Sequence, residues 1–320
     1  MKITVSSALC FWLTVGAAAS SQPLPAIFAD VPIQLAPARI VAQFPALTFL
    51  ENIAIDDQGT IFVTSLEEGK IYKVTLGGDK SEFAQLAGQV AGLAFTFKGD
   101  LLATGWTGGD MPTVFRVSRR GQVETLATVD GAVFLNGVTH LEGDRFLIAD
   151  SYRGAIWEFN ELSRSYRVWL EDEALARSDA QNPFPGVNGM KVFGDALYVT
   201  NTERQQLLRI PIGQGGKAGK PHVLCEGING DDFAVDATGT LYLTTHVYDS
   251  VVRVTQDCDV TVLAGNDEGV TGSTALAFGR DENNLQAVFV VTNGGMSLPP
   301  KGGVQPAKVV RLEVGASKAK

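Results

Sequence analysis

Short apolar runs recur along the chain from Phe49 onward, each set off by glycine, aspartate or asparagine, and the same order of runs returns about every 40 to 50 residues. The plainest are residues 61–65, 101–105, 146–150, 197–201, 241–245 and 288–292. They are rich in β-branched and aromatic residues and follow turn-forming positions, the mark of strands rather than helices. A second run follows each of them, at 71–74, 114–117, 156–159, 207–210, 251–254 and 309–312. A third follows in all but the last copy, at 82–86, 124–129, 166–170, 222–226 and 260–264. With an opening strand before the first run, each copy predicts four antiparallel strands, and the period predicts an all-β, six-bladed β-propeller. The last copy lacks an outer strand, and residues 39–44, ahead of the first copy, have the character to supply it. That pairing would close the ring and protect its edges.

Aligning the opening strands gives Glu51-Asn-Ile-Ala-Ile, Ala91-Gly-Leu-Ala-Phe, Asn136-Gly-Val-Thr-His, Asn188-Gly-Met-Lys-Val, Asp231-Asp-Phe-Ala-Val and Thr274-Ala-Leu-Ala-Phe. Innermost strands surround the propeller axis, so their first residues converge on a central channel. Glu51, Asn136, Asn188 and Asp231 then offer two carboxylates and two amide oxygens, a hard-donor set that suits a divalent cation, calcium better than zinc. Converging carboxylates are costly to desolvate unless a cation offsets them. Any one of these residues alone would read as a turn or a solvated strand end; their coincidence at one register is the signal.

Composition narrows the class of ligand. The 320 residues are 45% hydrophobic and 19% charged, enough to bury a substantial core, and the formal charge is -9. That balance disfavours nucleic acid and anionic membranes, which select basic surfaces, and leaves an apolar small molecule as the expected partner. Lys2, an apolar run over 3–15 and Ala17-Ala18-Ala19 predict a signal peptide over 1–19; the run is shorter than the ~20 residues that span a bilayer. The remainder divides into an extension over 20–38, the propeller over 39–314 and a tail over 315–320, in a secreted or secretory-pathway protein. Cys10 would leave with the signal, and Cys225 and Cys258 would either pair or remain buried thiols. No Cys/His cluster has zinc spacing.

Antiparallel connection puts the start of each opening strand beside the end of the next, so the ring shares a face with Phe49, Phe134 and Phe184 before the opening strands. After the second strands come Trp106, Tyr152, His246 and Met296. These predict a largely uncharged aromatic rim that binds substrate. Two long segments, 171–186 and 293–307, rise on the same face and are candidates for a lid. Asp231, His246 and Asn201 are the candidate catalytic residues there; His140 and His222 fall elsewhere. No Ser/His/Asp nucleophile signature or phosphate loop stands out.

Over residues 49–312 these features resemble the SMP-30/gluconolactonase/LRE-like propellers, with relatives among paraoxonases and diisopropylfluorophosphatase-type enzymes. The resemblance implies that Glu51, Asn136, Asn188 and Asp231 hold a catalytic or structural calcium. Leu50-Glu51-Asn52-Ile53-Ala54, Val187-Asn188-Gly189, Asp231-Asp232-Phe233-Ala234, Ala277-Phe278-Gly279-Arg280 and Val291-Thr292-Asn293-Gly294-Gly295 look like a fungal secreted branch that includes hetero-Diels–Alderases of secondary metabolism. Those join a quinone methide to a terpene alkene. Sugar-lactone hydrolases of the group carry an Arg-x-Asn-Asp element where this chain has Val90-Ala91-Gly92-Leu93, which disfavours a sugar acid. The expectation is therefore a cycloaddition catalyst acting on an apolar small molecule, with His246 and Asn201 as hydrogen-bond donors. The alternatives are a calcium-dependent lactonase or esterase using Asp231 with Asp232 in support, and a non-catalytic binding propeller.

Overall fold

The computed structural model describes residues 24–315. The expected signal peptide over 1–19 and residues 316–320 of the expected tail lie outside that range. The described residues form six antiparallel sheets, five of them running in sequence order from inner to outer strand and the sixth taking its outer strand from earlier in the chain. The inner strands are Leu50–Ile55, Gly88–Phe95, Leu135–Glu142, Val187–Phe193, Phe233–Val235 and Ser273–Phe278, for blades 1 to 6. The second strands, headed by Ile61–Ser65 in blade 1, match the apolar runs to within two residues.

The outer strand of blade 6 is Ala38–Ala46, antiparallel to Pro306–Glu313 with Arg39 opposite Arg311 and Gln43 opposite Lys308. Val41, Ala42 and Phe44 are buried there against Val63 of blade 1 and Phe289 of blade 6, so the chain start closes the ring as the sequence predicts. The remaining clusters also lie between adjacent blades, such as Phe62, Leu93 and Phe115 between blades 1 and 2. Both faces of each sheet are thus covered, which is why the second strands read as continuous apolar runs rather than alternating ones.

Two features add to the sequence reading. The extension is not a separate strand of chain: Gln34 N–H donates to Val262 O, Ala36 N–H to Leu263 O, and Val262 N–H to Pro32 O, so it lies parallel along the outer edge of blade 5. Cys225, on the outer strand of blade 4, is disulfide-bonded to Cys258 in the last turn of blade 5, with Cα atoms 5.7 Å apart. This settles the two readings of the cysteines.

Candidate active site

The channel position is set by a local irregularity. The pairing of inner with second strand slips between Leu50 and Ile53, Val90 and Leu93, Leu135 and Val138, Val187 and Met190, and Ser273 and Ala275. A bulge of this kind puts an extra residue in the inner strand and re-aims its side chains. The slips bracket Glu51, Ala91, Asn136, Asn188 and Thr274. In blade 5, Asp231 and Asp232 precede the strand, but Asp231 N–H donates to Thr244 O and Thr244 N–H to Asp232 O, so they occupy the same place.

Buried hydroxyls lock these positions to the neighbouring blade. Thr64 donates to Ala91 O, Thr104 to Asn136 O, Ser151 to Val187 O, Thr200 to Asp231 O, Thr244 to Thr274 O and Thr274 to Leu50 O, one link across each seam. The glycine that follows the ring residue in blades 2, 3 and 4 is explained by the same closeness. A Cβ on Gly92, Gly137 or Gly189 would sit 2.3, 2.5 or 2.6 Å from the carbonyl oxygen of Asn136, Asn188 or Asp231. Asn-Gly here is a packing requirement, not a turn.

All four predicted ring residues line one cavity, which encloses about 900 Å³ of space counting the solvent at its mouth. Asn136 Nδ2 donates to Asn188 Oδ1 at 2.8 Å, and Asn188 Nδ2 donates to Asp231 Oδ1 at 2.6 Å and to Thr202 Oγ1 at 3.0 Å. Glu51 stands apart from this chain of bonds, and its Oε2 is buried without a partner. Burial holds the Glu51 carboxyl well above the usual carboxylate range, and the negative charges of Asp231 and then Asp232 push it further. Burial also raises Asp232, against the opposing pull of Lys191, whose ammonium it binds. Three carboxyls with one lysine make a site that takes up positive charge, as a proton or as a cation. Among the described residues no group of three or more His, Cys, Asp or Glu side chains is gathered to hold a metal ion; the ring's amide and carboxylate oxygens, with the unpartnered Glu51 Oε2, are the hard donors a calcium-type ion would meet.

His246 is held on both sides. Its Nδ1 lies 3.1 Å from Asp231 Oδ2, and its Nε2 lies 2.9 Å from Asn293 Nδ2 and 3.0 Å from Ser297 Oγ. Asn293 Oδ1 accepts from the N–H groups of Gly295 and Met296, so its amide group must present Nδ2 to the histidine. Nε2 is then the acceptor and Nδ1 carries the proton, donated to Asp231. Asn201 is likewise committed: its Nδ2 donates to Ala174 O and Ala176 O. Neither His246 nor Asn201 offers a free N–H to the cavity. Asn201 and Met296 are not among the residues that line it, whereas Phe49, Trp106, Phe134, Tyr152, Phe184 and His246 are.

The wall is a ladder of rings. Trp106 and Phe134 have centroids 4.9 Å apart, Phe134 and Tyr152 stack at 4.9 Å with planes 21° apart, and the Arg177 guanidinium sits 4.2 Å from the Tyr152 centroid. Segment 171–186 supplies Phe184 and Pro185 to the wall, yet it is pinned rather than free. Ser178 donates to Glu203, Arg204 Nε to Ala176 O, and Tyr152 Oη to Pro183 O. Segment 293–307 supplies the Asn293 and Ser297 that fix His246.

Among the described residues, three of the buried polar atoms without a partner are carried by residues that line this cavity: Glu51 Oε2, the Trp106 indole N–H and Asn229 Oδ1. Native proteins rarely leave such groups unpaired unless a ligand, ion or water meets them. Thr202 and Asn229 were not found from sequence. Thr202 is one residue past Asn201, and side chains alternate, so the predicted face was off by one position.

These features have known counterparts. No family model matches the chain. A proposed hetero-Diels-Alderase of Phoma sp is 23% identical over 80% of this chain and 87% of its own length. Another, from Sarocladium schorii, is 22% identical over 82% and 80%. Among solved structures, the calcium-binding protein regucalcin from Agrobacterium tumefaciens superposes with a TM-score of 0.67 at 17% identity, covering 91% of this chain and 97% of that one. A gluconolactonase from Xanthomonas campestris gives 0.62 at 15%, over 88% and 96%. The likeness shows the fold, a six-bladed propeller of the kind seen in regucalcin and the gluconolactonase. In sequence, the propeller is similar to the two fungal proteins across most of their length.

Proposed function

We propose that the propeller is an enzyme that binds an apolar, largely planar small molecule against the Trp106–Phe134–Tyr152 wall and catalyses a hetero-Diels–Alder-type cycloaddition. The observation that carries this reading is an aromatic wall that includes one unpartnered donor, the Trp106 N–H. A cycloaddition moves no proton; it needs two partners held face to face and a carbonyl drawn toward a donor. The stacked rings orient the diene, Phe49 and Phe184 add apolar lining, and the Trp106 N–H polarises the carbonyl oxygen. Asp231, held by Asn188 and His246, is a fixed negative group at the floor. The names of the fungal relatives support the reaction class.

A bound calcium would be held by Glu51, Asn136, Asn188 and Asp231, where its chemistry is to polarise a carbonyl oxygen. The carboxylate floor favours a second reading, a calcium-dependent hydrolase of hydrophobic lactones or esters. Secretion is part of the proposal and is supported by the Cys225–Cys258 disulfide, a bond that persists in oxidising compartments. Among the described residues, no helix is long and apolar enough to cross a membrane.

The test pairs a quinone-methide precursor with a terpene alkene and, separately, offers a panel of aryl esters and hydrophobic lactones. Trp106→Phe keeps the ring and removes the donor. It should slow product formation by about 10- to 100-fold, somewhat less than loss of an oxyanion-hole donor costs, with an unchanged melting temperature. Calcium-dependent hydrolysis abolished by Asp231→Ala, with no cycloadduct above the uncatalysed level, would establish the hydrolase instead.

A further inference from the structure

The opposite face of the ring carries a second recess, in the seam between blades 1 and 2, and the repeat itself shows what is unusual there. The turn between inner and second strands has the same backbone bonds in blades 1, 2 and 5: Asp56, Thr96 and Asp236 each donate N–H to the residue four on and accept from the glycine three on. In blades 1 and 5 the aspartate side chain also caps the turn, accepting from Gln58 and Thr60 or from Thr238 and Thr240. In blade 2 that residue is Thr96, whose Oγ1 is buried with no partner, and the next residue is Phe97, 91% exposed. Blade 2 has exchanged a self-satisfied polar turn for an idle hydroxyl beside a bare ring.

Both line the recess, together with Phe62, Phe83 and Phe95. Phe62 meets Phe83 and Phe95 edge-on, at 5.0 and 5.8 Å. The charged groups there are unevenly used. Arg280 is paired with Asp57 at 2.9 Å, and Asp56 is occupied by its turn. The His140 ring is bonded to Gly143 O at 2.7 Å. Lys73 and Arg119 also line the recess, and neither is ion-paired among the described residues; the Arg119 guanidinium donates to the Lys98 carbonyl and its backbone N–H to Asp100 Oδ1.

We propose that this recess is a second ligand site, which takes an apolar carboxylate: its body lies on the phenylalanines, and its anionic head meets Lys73, Arg119 and the Thr96 hydroxyl. Charge complementarity selects the head, because the recess offers two uncommitted cations and no uncommitted anion that its own turn or an arginine does not already hold. The site is independent of the reaction proposed above.

The probe is 2-naphthoate, titrated into the mature, disulfide-bonded protein and followed by its own fluorescence, with 2-naphthylmethanol as the uncharged analogue. Lys73→Gln/Arg119→Gln should weaken a saturable phase roughly tenfold, the scale of a charge-assisted hydrogen bond. Phe97→Ala should weaken it several-fold, and the alcohol should bind the wild type no better than the acid binds the double variant. Phe134→Ala, in the other cavity, should leave this phase unchanged. Lys73, Phe97 and Arg119 are exposed, so their substitutions should leave the melting temperature unaltered, and lost binding is not lost folding. No saturation up to about 1 mM, or a naphthoate phase indifferent to the double variant, overturns the proposal, whatever binds elsewhere.

Discussion

Glu51 is the residue at which charge and stability meet most directly. Its folded carboxyl holds its proton more tightly than it would in the unfolded chain, because of burial and then Asp231 and Asp232. Below the ordinary carboxylate range both states are protonated and nothing is lost. As pH rises through the window between the ordinary value and the raised folded one, the unfolded chain ionises first, so stability falls and stays lower above it. Without a cation, Glu51→Gln should therefore stabilise the protein at pH 7 by about 1–3 kcal/mol, because the amide has no charge to desolvate and none to repel Asp231 and Asp232. The same variant should lose most of the stabilisation that calcium gives the wild type. Melting in chelator and in calcium, at pH 4 and pH 7, reads both effects; a variant that melts below the wild type in chelator at pH 7 would show that Glu51 is not strained.

At the scale of the strand, the bulged inner strands and the hydroxyl links form one device. Thr200 shows its cost: Oγ1 accepts from Gly189 N–H at 2.9 Å and donates to Asp231 O at 2.7 Å, within a fully buried seam. Thr200→Val conserves volume and removes both hydroxyl bonds, leaving the Gly189 N–H only its 3.1 Å bond to Asp231 O, so urea unfolding should report a loss of about 1 kcal/mol, the net worth of a buried hydrogen bond, that Thr200→Ser largely restores. A Val variant as stable as the wild type would show that the hydroxyl bonds carry no net stabilisation. The strands themselves were legible from sequence, since each is a compact β-branched run between turn residues. So was the ring, because Glu51, Asn136, Asn188 and Asp231 share a register. What sequence missed are facts of phase and partnership. Asn201 is the last residue of its strand, but it faces the 171–186 segment while Thr202 lines the cavity. His246 read as a donor because nothing in the sequence brings Asn293 and Ser297 to its ring. The glycines read as turns because the carbonyls they accommodate belong to the next blade.

For the molecule as a whole, the blades are not equally built. Blade 5 has the shortest inner strand, Phe233–Val235, yet it presents Asp231 before that strand and His246 after the next. Its outer edge is where the extra bracing lies: the extension pairs along Val262 and Leu263, Phe28 meets Tyr248 at 5.3 Å, and the disulfide ties its last turn to blade 4. Bracing from outside compensates for a strand too short to hold its own blade, and it keeps two cavity groups in place. Closing 33 residues of sequence, the disulfide is worth about 2–4 kcal/mol, so Cys225→Ser/Cys258→Ser should melt roughly 3–6 °C lower. The more telling measurement is hydrogen exchange: amides of Phe233–Val235 and Leu241–Thr244 should lose protection well before those of Leu101–Thr107 in blade 2. A uniform loss across the ring would instead mean that the seams share load evenly and that blade 5 is braced for some other reason. Selective loss would tie the geometry at Asp231 and His246 to a bond on the far edge of their blade.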